Sequence, residues 1–401
     1  MASLGPLAAL GGCKFSFEQG LFNACRAKVD PAILPVVHEA WVGLDVERVW
    51  DVHAHLFGNG LSGKGIWLNP EYDSPASSAG IRRMFFLDGA CGGKDDKSTD
   101  DAIIGRIGKL VDELPWGVKV VLLAFDAAHD ESGARRKDLT AFWVPNEYVA
   151  RVAKMRPERF EWTASIHPYR ADALAALEAA KRERARAVKW LPPAMGIDLA
   201  NPRCRPFYDA LKRLDVPLLV HVGAEEAVRG AAQPAYANPL LLRHPLDDGV
   251  RVIAAHCATM GESADLDSDR SPEKAPQVRN VDLFARLMGE RRYEGLLFGD
   301  LSAVTQANRA EHLPLLLERQ EWHARLLNGS DYPLPGILPL FSLSGLVAAG
   351  LLEEKQLPPL QSLRESNPLL FDFVLKRSLR YRGSRFADAA FETRGFFLRN
   401  A

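Results

Sequence analysis

The sequence DVHAH at positions 51–55 places two imidazoles two residues apart, directly after a short apolar run over 46–50. A run of β-branched and aromatic residues of this length predicts a buried strand. Successive side chains of a strand point to opposite faces, so His53 and His55 share a face and can converge on one cation. Neutral imidazole is a common ligand of zinc and similar metals. An isolated His-x-His pair also recurs by chance, so the metal hypothesis depends on other strands.

Four further polar side chains end apolar segments later in the chain. They are Lys189, His221, His256 and Asp331. Within each predicted strand, the Lys or His shares a face with small or apolar residues two positions earlier. If these strand ends lie together, four histidines, a lysine and an aspartate meet at one place.

The segments that carry these residues belong to a regular alternation of strand and helix patterns. The eight predicted strands are 46–55, 118–126, 160–167, 185–190, 216–221, 250–256, 293–300 and 324–329. Such alternation predicts an α/β fold with a parallel sheet, and eight units predict a closed (β/α)8 TIM barrel over residues 46–340. In this barrel the chemistry lies at the C-terminal ends of the strands. Residues 1–45 are predicted to form an N-terminal lead-in packed on the barrel, and 341–401 a C-terminal helical extension.

The order His-x-His, Lys, His, His, Asp on strands one, four, five, six and eight resembles the amidohydrolase superfamily of metal-dependent hydrolases. The local sequences DVHAH, VKWLPP, LLVHVG, VIAAHC and NGSDYP most resemble its amidohydrolase family 2 branch. An ordered match of six residues is far more specific than any single motif. The resemblance covers roughly residues 46–340 and implies an enzyme that hydrolyses a small amide, ester or lactone with a metal-activated water.

The resemblance also implies a binuclear metal centre. Its ligands would be His53, His55 and Asp331 for one divalent metal and His221 and His256 for a second. Zinc is the expected metal at both positions, with manganese or iron as the other candidates.

Lys189 and Asp331 receive further roles from the resemblance. Lys189 would bridge the two metals as a carboxylated lysine, whose two oxygens suit metals about 3.5–4 Å apart. An unmodified ammonium at that place would be repelled by two cations. Asp331 would act as the general base and then return the proton to the leaving group.

Two of these residues keep alternative interpretations. Lys189 could be an ordinary barrel-mouth lysine that pairs with Asp126 or with a substrate carboxylate. His256 could be a catalytic or substrate-binding histidine, which fits a site with one metal. The same branch includes non-oxidative decarboxylases that use one metal, so a decarboxylase is the alternative function. A catalytically inactive barrel is a third interpretation, but no structural role requires four histidines at one mouth of a barrel.

Two long loops, 56–80 and 127–146, follow the first two strands and are predicted to overhang the barrel mouth. Aromatic walls with a few polar anchors suit a compact small-molecule substrate. Arginine forms bidentate bonds with carboxylates, so two arginines could hold a carboxylate on that substrate. The residues predicted to bind substrate are Trp67, His167, Tyr169, Arg170 and Arg243.

Composition disfavours several other classes. The 50 Lys and Arg residues balance 51 Asp and Glu residues, which argues against nucleic acid or an anionic membrane as partner. This balance of charge is also compatible with a homo-oligomer. The five cysteines are scattered and odd in number, which disfavours a disulfide framework and predicts a cytoplasmic protein. The alternative is a lipoprotein modified at Cys13, although no Lys or Arg precedes the short apolar run there.

Overall fold

A computed structural model describes residues 14–399 of the 401-residue chain. Cys13, on which the lipoprotein alternative depends, lies outside the described residues. Within 14–399, none of the helices combines the length and apolar character needed to cross a membrane.

Eight parallel strands form a closed ring. The described residues contain twelve strands, of which eight form the ring, while β2 pairs antiparallel with β4 and β9 with β10. In chain order, the twelve are β1 Trp50–His55, β2 Trp67–Leu68, β3 Lys119–Leu123, β4 Phe142–Trp143, β5 Phe160–Thr163, β6 Val188–Trp190, β7 Leu218–His221, β8 Val252–Ala255, β9 Glu262–Ala264, β10 Gln277–Arg279, β11 Leu297–Asp300 and β12 Leu326–Leu327. One parallel sheet has the order β1-β3-β5 and a second has the order β6-β7-β8-β11-β12. Single parallel bridges from Ala164 to Val188 and from Ala54 to Tyr332 join the two sheets at both edges. The predicted (β/α)8 barrel is thereby confirmed.

Helices cover the outside of this ring and continue beyond it. They are α1 Leu34–Trp41, α2 Ser78–Gly89, α3 Thr99–Asp112, α4 Asn146–Met155, α5 Ala173–Arg182, α6 Pro192–Met195, α7 Arg205–Arg213, α8 Arg243–Asp247, α9 Asn280–Met288, α10 Leu313–Glu318, α11 Leu343–Ala348, α12 Leu357–Ser366, α13 Pro368–Ser378 and α14 Arg394–Phe397. Helix α7 shows why they form, because Phe207, Tyr208 and Leu211 are buried at helical spacing while Asp209 and Lys212 are exposed. Such a helix buries its apolar stripe against the strands.

The predicted strands occur in all eight places, but each is shorter than predicted. The first begins at Trp50, because residues 46–48 form a 3-10 turn whose start is capped by the side chain of Asp45. The sequence analysis did not identify α2, which begins where Ser77 Oγ accepts a hydrogen bond from the N–H of Gly80 (2.9 Å). Local capping therefore decides both boundaries.

The N-terminal lead-in and the C-terminal extension contact each other as well as the barrel. The Arg377 guanidinium donates to the carbonyl oxygens of Ala40 and Val42 (2.8 and 3.0 Å). The Asn23 amide donates to the carbonyl oxygen of Arg364 (3.2 Å). The described part of the lead-in is thus packed against the extension, and Lys376 of the extension donates to the carbonyl oxygen of Gly329 in the barrel (2.6 Å).

Cys25 and Cys91 form a disulfide across 66 residues of sequence. This pairing was not expected from the scattered cysteines, and it joins the lead-in to the chain just after α2. Cys204 and Cys257 are free and buried. Disulfides persist mainly in oxidising compartments, so the pairing weighs against the cytoplasmic location, which stays a prediction.

Candidate metal centre

Three donor atoms of His53, His55 and Asp331 face one another at the C-terminal end of the barrel. His55 Nε2 lies 3.2 Å from Asp331 Oδ1, and His53 Nε2 lies 3.3 Å from His55 Nε2. The distance from His53 Nε2 to Asp331 Oδ1 is 3.5 Å. Four tetrahedral ligands at about 2.1 Å from one ion stand about 3.4 Å apart. The spacing and chemistry of this set therefore fit a divalent metal.

Backbone contacts between β1 and the chain after β12 hold this set. The Asp331 N–H donates to the carbonyl oxygen of His53 (2.7 Å). Asp51 Oδ1 accepts from the N–H groups of both His53 (3.1 Å) and Ser330 (2.8 Å), and burial raises the pKa of Asp51 to about 6. Asp331 has a φ of 60°, a left-handed conformation that is uncommon for a residue other than glycine. Strain of this kind clusters at functional sites.

Asp300 at the end of β11 orients His53, and the sequence analysis did not select it. Asp300 Oδ2 lies 2.8 Å from His53 Nδ1, while Oδ1 accepts from the N–H of His256 (2.8 Å). Burial opposes ionisation, but His53 and His256 hold the pKa of Asp300 below its ordinary value. A histidine whose Nδ1–H is held by a carboxylate presents Nε2 to a metal. The signal was present, because Asp300 is the last residue of the seventh predicted strand.

His256 is held as a neutral imidazole beside this pair. Its Nδ1 lies 2.8 Å from Ser302 Oγ and 3.1 Å from the Ser302 carbonyl oxygen, which can only accept. Burial lowers the pKa of His256 to about 3. His256, Cys257 and Ala258 all have positive φ, an uncommon run of three left-handed residues. A neutral ring with Nδ1–H donating leaves Nε2 with a lone pair, as a ligand or a base requires.

Lys189 and His221 complete the six residues expected from the sequence. Lys189 is buried, and its Nζ lies 3.5 Å from His53 Nε2. The His221 ring centroid lies 5.1 Å from that of His256. However, His221 Nε2 faces Glu225 Oε2 at 3.3 Å. The structure brings all six residues to one cavity, whereas their roles as ligands stay predictions.

This cavity has a volume of about 100 Å³ and apolar walls supplied in part by the two long loops. Strands β2 and β4 pair antiparallel, with Trp67 opposite Trp143 and Leu68 opposite Phe142. Because side chains alternate along a strand, one pair faces the cavity and the other faces away. Leu68 and Phe142 line the cavity, together with Tyr72. The loops overhang the barrel mouth as predicted.

The two arginines predicted to bind substrate are paired elsewhere. Arg170 Nη1 lies 2.9 Å from Asp126 Oδ2, so Asp126 pairs with this arginine rather than with Lys189. Arg243 Nη2 lies 2.9 Å from Glu290 Oε1, on the outer side of the barrel. Neither guanidinium lines the cavity of the metal centre. A role in binding substrate stays a prediction without support from their placement.

The other three predicted substrate contacts also lie outside the lining of this cavity. Trp67 is on the outward face of the β2–β4 pair, where Leu68 takes the inward position. His167 Nε2 donates to the carbonyl oxygen of Met195 (3.1 Å), and the ring packs on Tyr169 with centroids 4.8 Å apart. His167 and Tyr169 are both buried. Their position is one of core packing near the mouth.

Residues 50–337 match the family model for amidohydrolases (amidohydrolase family 2). The chain belongs to this family. The resemblance noted in the motifs is confirmed, and the amidohydrolase chain is an enzyme of a metal-dependent family. Comparison with curated proteins finds no match.

Several solved structures are similar to this amidohydrolase in fold. An uncharacterised TIM-barrel protein from Bordetella bronchiseptica is 17% identical, with 75% of this chain and 91% of that chain covered and a TM-score of 0.47. A 5-carboxyvanillate decarboxylase from Sphingomonas paucimobilis is 13% identical, with 88% and 98% covered and a TM-score of 0.44. A 4-oxalomesaconate hydratase from Rhodopseudomonas palustris is 15% identical, with 71% and 81% covered and a TM-score of 0.38. The reactions named for the last two proteins differ, and similarity this low carries neither of them to the amidohydrolase.

Proposed function

We propose that this amidohydrolase hydrolyses an amide, ester or lactone bond in a small molecule. The observation that carries the proposal is the convergence of His53 Nε2, His55 Nε2 and Asp331 Oδ1 within 3.5 Å at the base of an apolar cavity. A divalent ion held by these atoms would lower the pKa of a water toward about 7 and polarise the scissile carbonyl. The apolar lining of this cavity, with a few polar side chains at one end, suits a compact organic substrate.

Asp331 would move the proton. Burial raises its pKa, but the rings of His53 and His256 hold that pKa well below the ordinary value, so Asp331 is a carboxylate. Its Oδ1 faces His55 at 3.2 Å, while Oδ2 lies 3.8 Å from His256 Nδ1. Oδ1 is therefore placed to bind a metal, and Oδ2 is the oxygen that faces away from His55. Asp331 would take a proton from the attacking water and pass it to the leaving nitrogen or oxygen.

The binuclear form of the site is part of the proposal. Lys189 is buried 3.5 Å from His53 Nε2, within reach of an ion that His53 would bind. An ammonium would be repelled at that place, and a carboxylated Lys189 would attract and bridge two ions. His221 and His256 would hold the second ion, and zinc would suit their imidazoles.

A mononuclear decarboxylase is the second candidate, and one observation favours it. Both groups of donor atoms found among the described residues include His53, and His221 Nε2 faces Glu225. These contacts are consistent with one ion and need no bridging lysine. In that case the bond between carbon and the carboxylate of the substrate breaks and carbon dioxide leaves. The carbon takes up a proton that comes from water, and the ionised Asp331 would relay it.

The test is a substrate panel of esters, lactones, amides and aromatic acids, assayed together with the metal content of each protein. Asp331→Asn keeps the shape of the side chain and one oxygen ligand but cannot take a proton. We expect it to retain metal and to lose roughly 10²–10⁴-fold in the chemical step. Asp247→Asn, on the outer helix α8, is the matched control and should be unchanged. Carbon dioxide release from aromatic acids without turnover of any ester, lactone or amide would establish the decarboxylase instead.

A further inference from the structure

A second lobe opens from the metal centre. It shares His221, Glu225, His256 and Asp331 with the first cavity. A ligand whose reacting group lies at Asp331 can therefore extend into this lobe. Its remaining polar lining comes mainly from the turn after β11.

Two of the lining groups are buried hydrogen-bond donors with little to donate to. Arg309 is 6% exposed and Gln306 is 5% exposed. Arg309 Nη1 lies 3.5 Å from Thr259 Oγ1, the limit of a hydrogen bond, and Arg309 Nε has no partner among the described residues. Gln306 Nε2 likewise has no partner within 14–399. Buried donors are nearly always paired, so this pair of residues points to a ligand with acceptor oxygens.

Arg309 and Gln306 are held close together by the backbone. They lie on one turn, in which the N–H of Arg309 donates to the carbonyl oxygen of Gln306 (2.9 Å). A guanidinium is planar and presents its N–H groups as a fork that fits both oxygens of a carboxylate. An adjacent amide N–H can add a third bond to the same group.

Glu225, the carboxylate that acts most strongly on the charge of Arg309 among the described residues, is already engaged. Its Oε1 accepts from the N–H groups of Ala227 (2.6 Å) and Val228 (2.8 Å), and its Oε2 faces His221 Nε2 at 3.3 Å. Burial lowers the pKa of Arg309, and Glu225 opposes this effect through space without occupying the donors of Arg309.

We propose that Arg309, together with Gln306, binds a carboxylate of the substrate in this lobe while another group of the substrate reacts at Asp331. The proposal rests on the proposed function only for the place of the reacting group. It assigns to Arg309 the anion-binding role that the sequence analysis gave to Arg170 and Arg243.

Binding of benzoate and of its neutral analogue benzamide, measured by calorimetry on metal-loaded and metal-depleted protein, tests the proposal. Arg309→Met should weaken benzoate binding about 10- to 100-fold and leave benzamide unchanged, because a hydrogen bond to a charged group is lost. Arg309→Lys keeps the positive charge but loses the planar pair of N–H donors. Its affinity for benzoate should therefore lie between those of the wild type and Arg309→Met. Arg159→Met is the control, since Arg159 is also buried and its Nε has no partner among the described residues, but it lies before β5 at the other end of the barrel.

Each outcome separates this proposal from the proposed function. Benzoate affinity that is equal in wild type and both Arg309 variants overturns the proposal. Benzoate binding that disappears on metal removal but survives in Arg309→Met also overturns it, because the metal would then hold the carboxylate. Binding that depends on Arg309 in a protein that turns over nothing on the panel supports the proposal and counts against the proposed function alone.

Discussion

Asp300 Oδ2 lies 2.8 Å from Nδ1 of His53, and both side chains are fully buried. The contact fixes which ring nitrogen of His53 faces His55 and Asp331. Asp300 also accepts from the backbone N–H of His256, so one carboxylate positions two of the histidines. Groups that orient a ligand in this way influence metal affinity without touching the metal.

Asp300→Ala should weaken the affinity for Zn²⁺ or Mn²⁺ by about 10- to 100-fold, because His53 loses its orienting partner. Competition with a chelator of known affinity measures the change. Asp100→Ala is the matched control, since Asp100 is a fully buried aspartate that accepts from the N–H of Asn59 away from the metal ligands. It should lower stability and leave metal affinity alone. An Asp300 variant with wild-type affinity would show that the contact is only structural.

Lys189→Ala tests the number of metals. The wild-type protein loaded with excess metal should hold about two ions per chain, and the variant should lose at least one. Added bicarbonate or a short carboxylic acid should restore part of the loss, since either supplies bridging oxygens. Lys119→Ala removes a lysine at the opposite end of the barrel, where it pairs with Glu161, and should keep both ions. One tightly held ion that is unchanged by Lys189→Ala would favour the decarboxylase.

His167 should make the protein less stable in acid. Its Nε2–H donates to the Met195 carbonyl oxygen and its Nδ1 accepts from the N–H of Tyr169, so only the neutral ring makes both bonds. Burial lowers the pKa of His167 to about 3. The unfolded chain takes up a proton near pH 6.5 and the folded protein does not. The contribution of neutral His167 to the free energy of unfolding is therefore fully present above pH 6.5 and is lost as the pH falls toward 3. The loss is about 2 kcal/mol at pH 5.

The comparison of wild type with His167→Gln isolates that contribution, because a glutamine amide can donate and accept at similar places without titrating. Chemical unfolding at pH 7.5 and pH 5 in metal-depleted protein gives the free energies. The loss on acidification should be about 2 kcal/mol smaller in the variant. Equal losses in the two proteins would mean that His167 titrates normally in the fold.

The barrel and the six residues around its mouth could be predicted because both follow from local pattern. Strand parity places His53 with His55, and strand order places Lys189, His221 and Asp331 at the same end. These relationships need no knowledge of which loops meet. The family pattern then supplied the roles, and the structure supplied the distances.

The substrate side of the site could not be read in this way, because it depends on contacts between distant segments. A register shift of one residue would turn Trp67 toward the cavity and Leu68 away from it. The pairing of β2 with β4 decides which of the two side chains faces the cavity. Arg309 follows a strand in a polar loop, and only the packed structure shows that it is buried. Cys25 and Cys91 are 66 residues apart, so spacing alone could not pair them.

The contacts of the N-terminal lead-in and the C-terminal extension limit how this barrel can be combined with segments of other proteins. Arg377 donates to carbonyl oxygens of the lead-in, and Cys91, bonded to Cys25, follows the helix α2 that supplies Phe86 and Leu87 to the cavity wall. A chimaera that inherits only the barrel from this enzyme would lack both partners of the Arg377 contacts and would leave Cys91, at the end of that wall helix, without Cys25. Recombination with a relative should therefore preserve the pocket only when both terminal segments are inherited with the barrel.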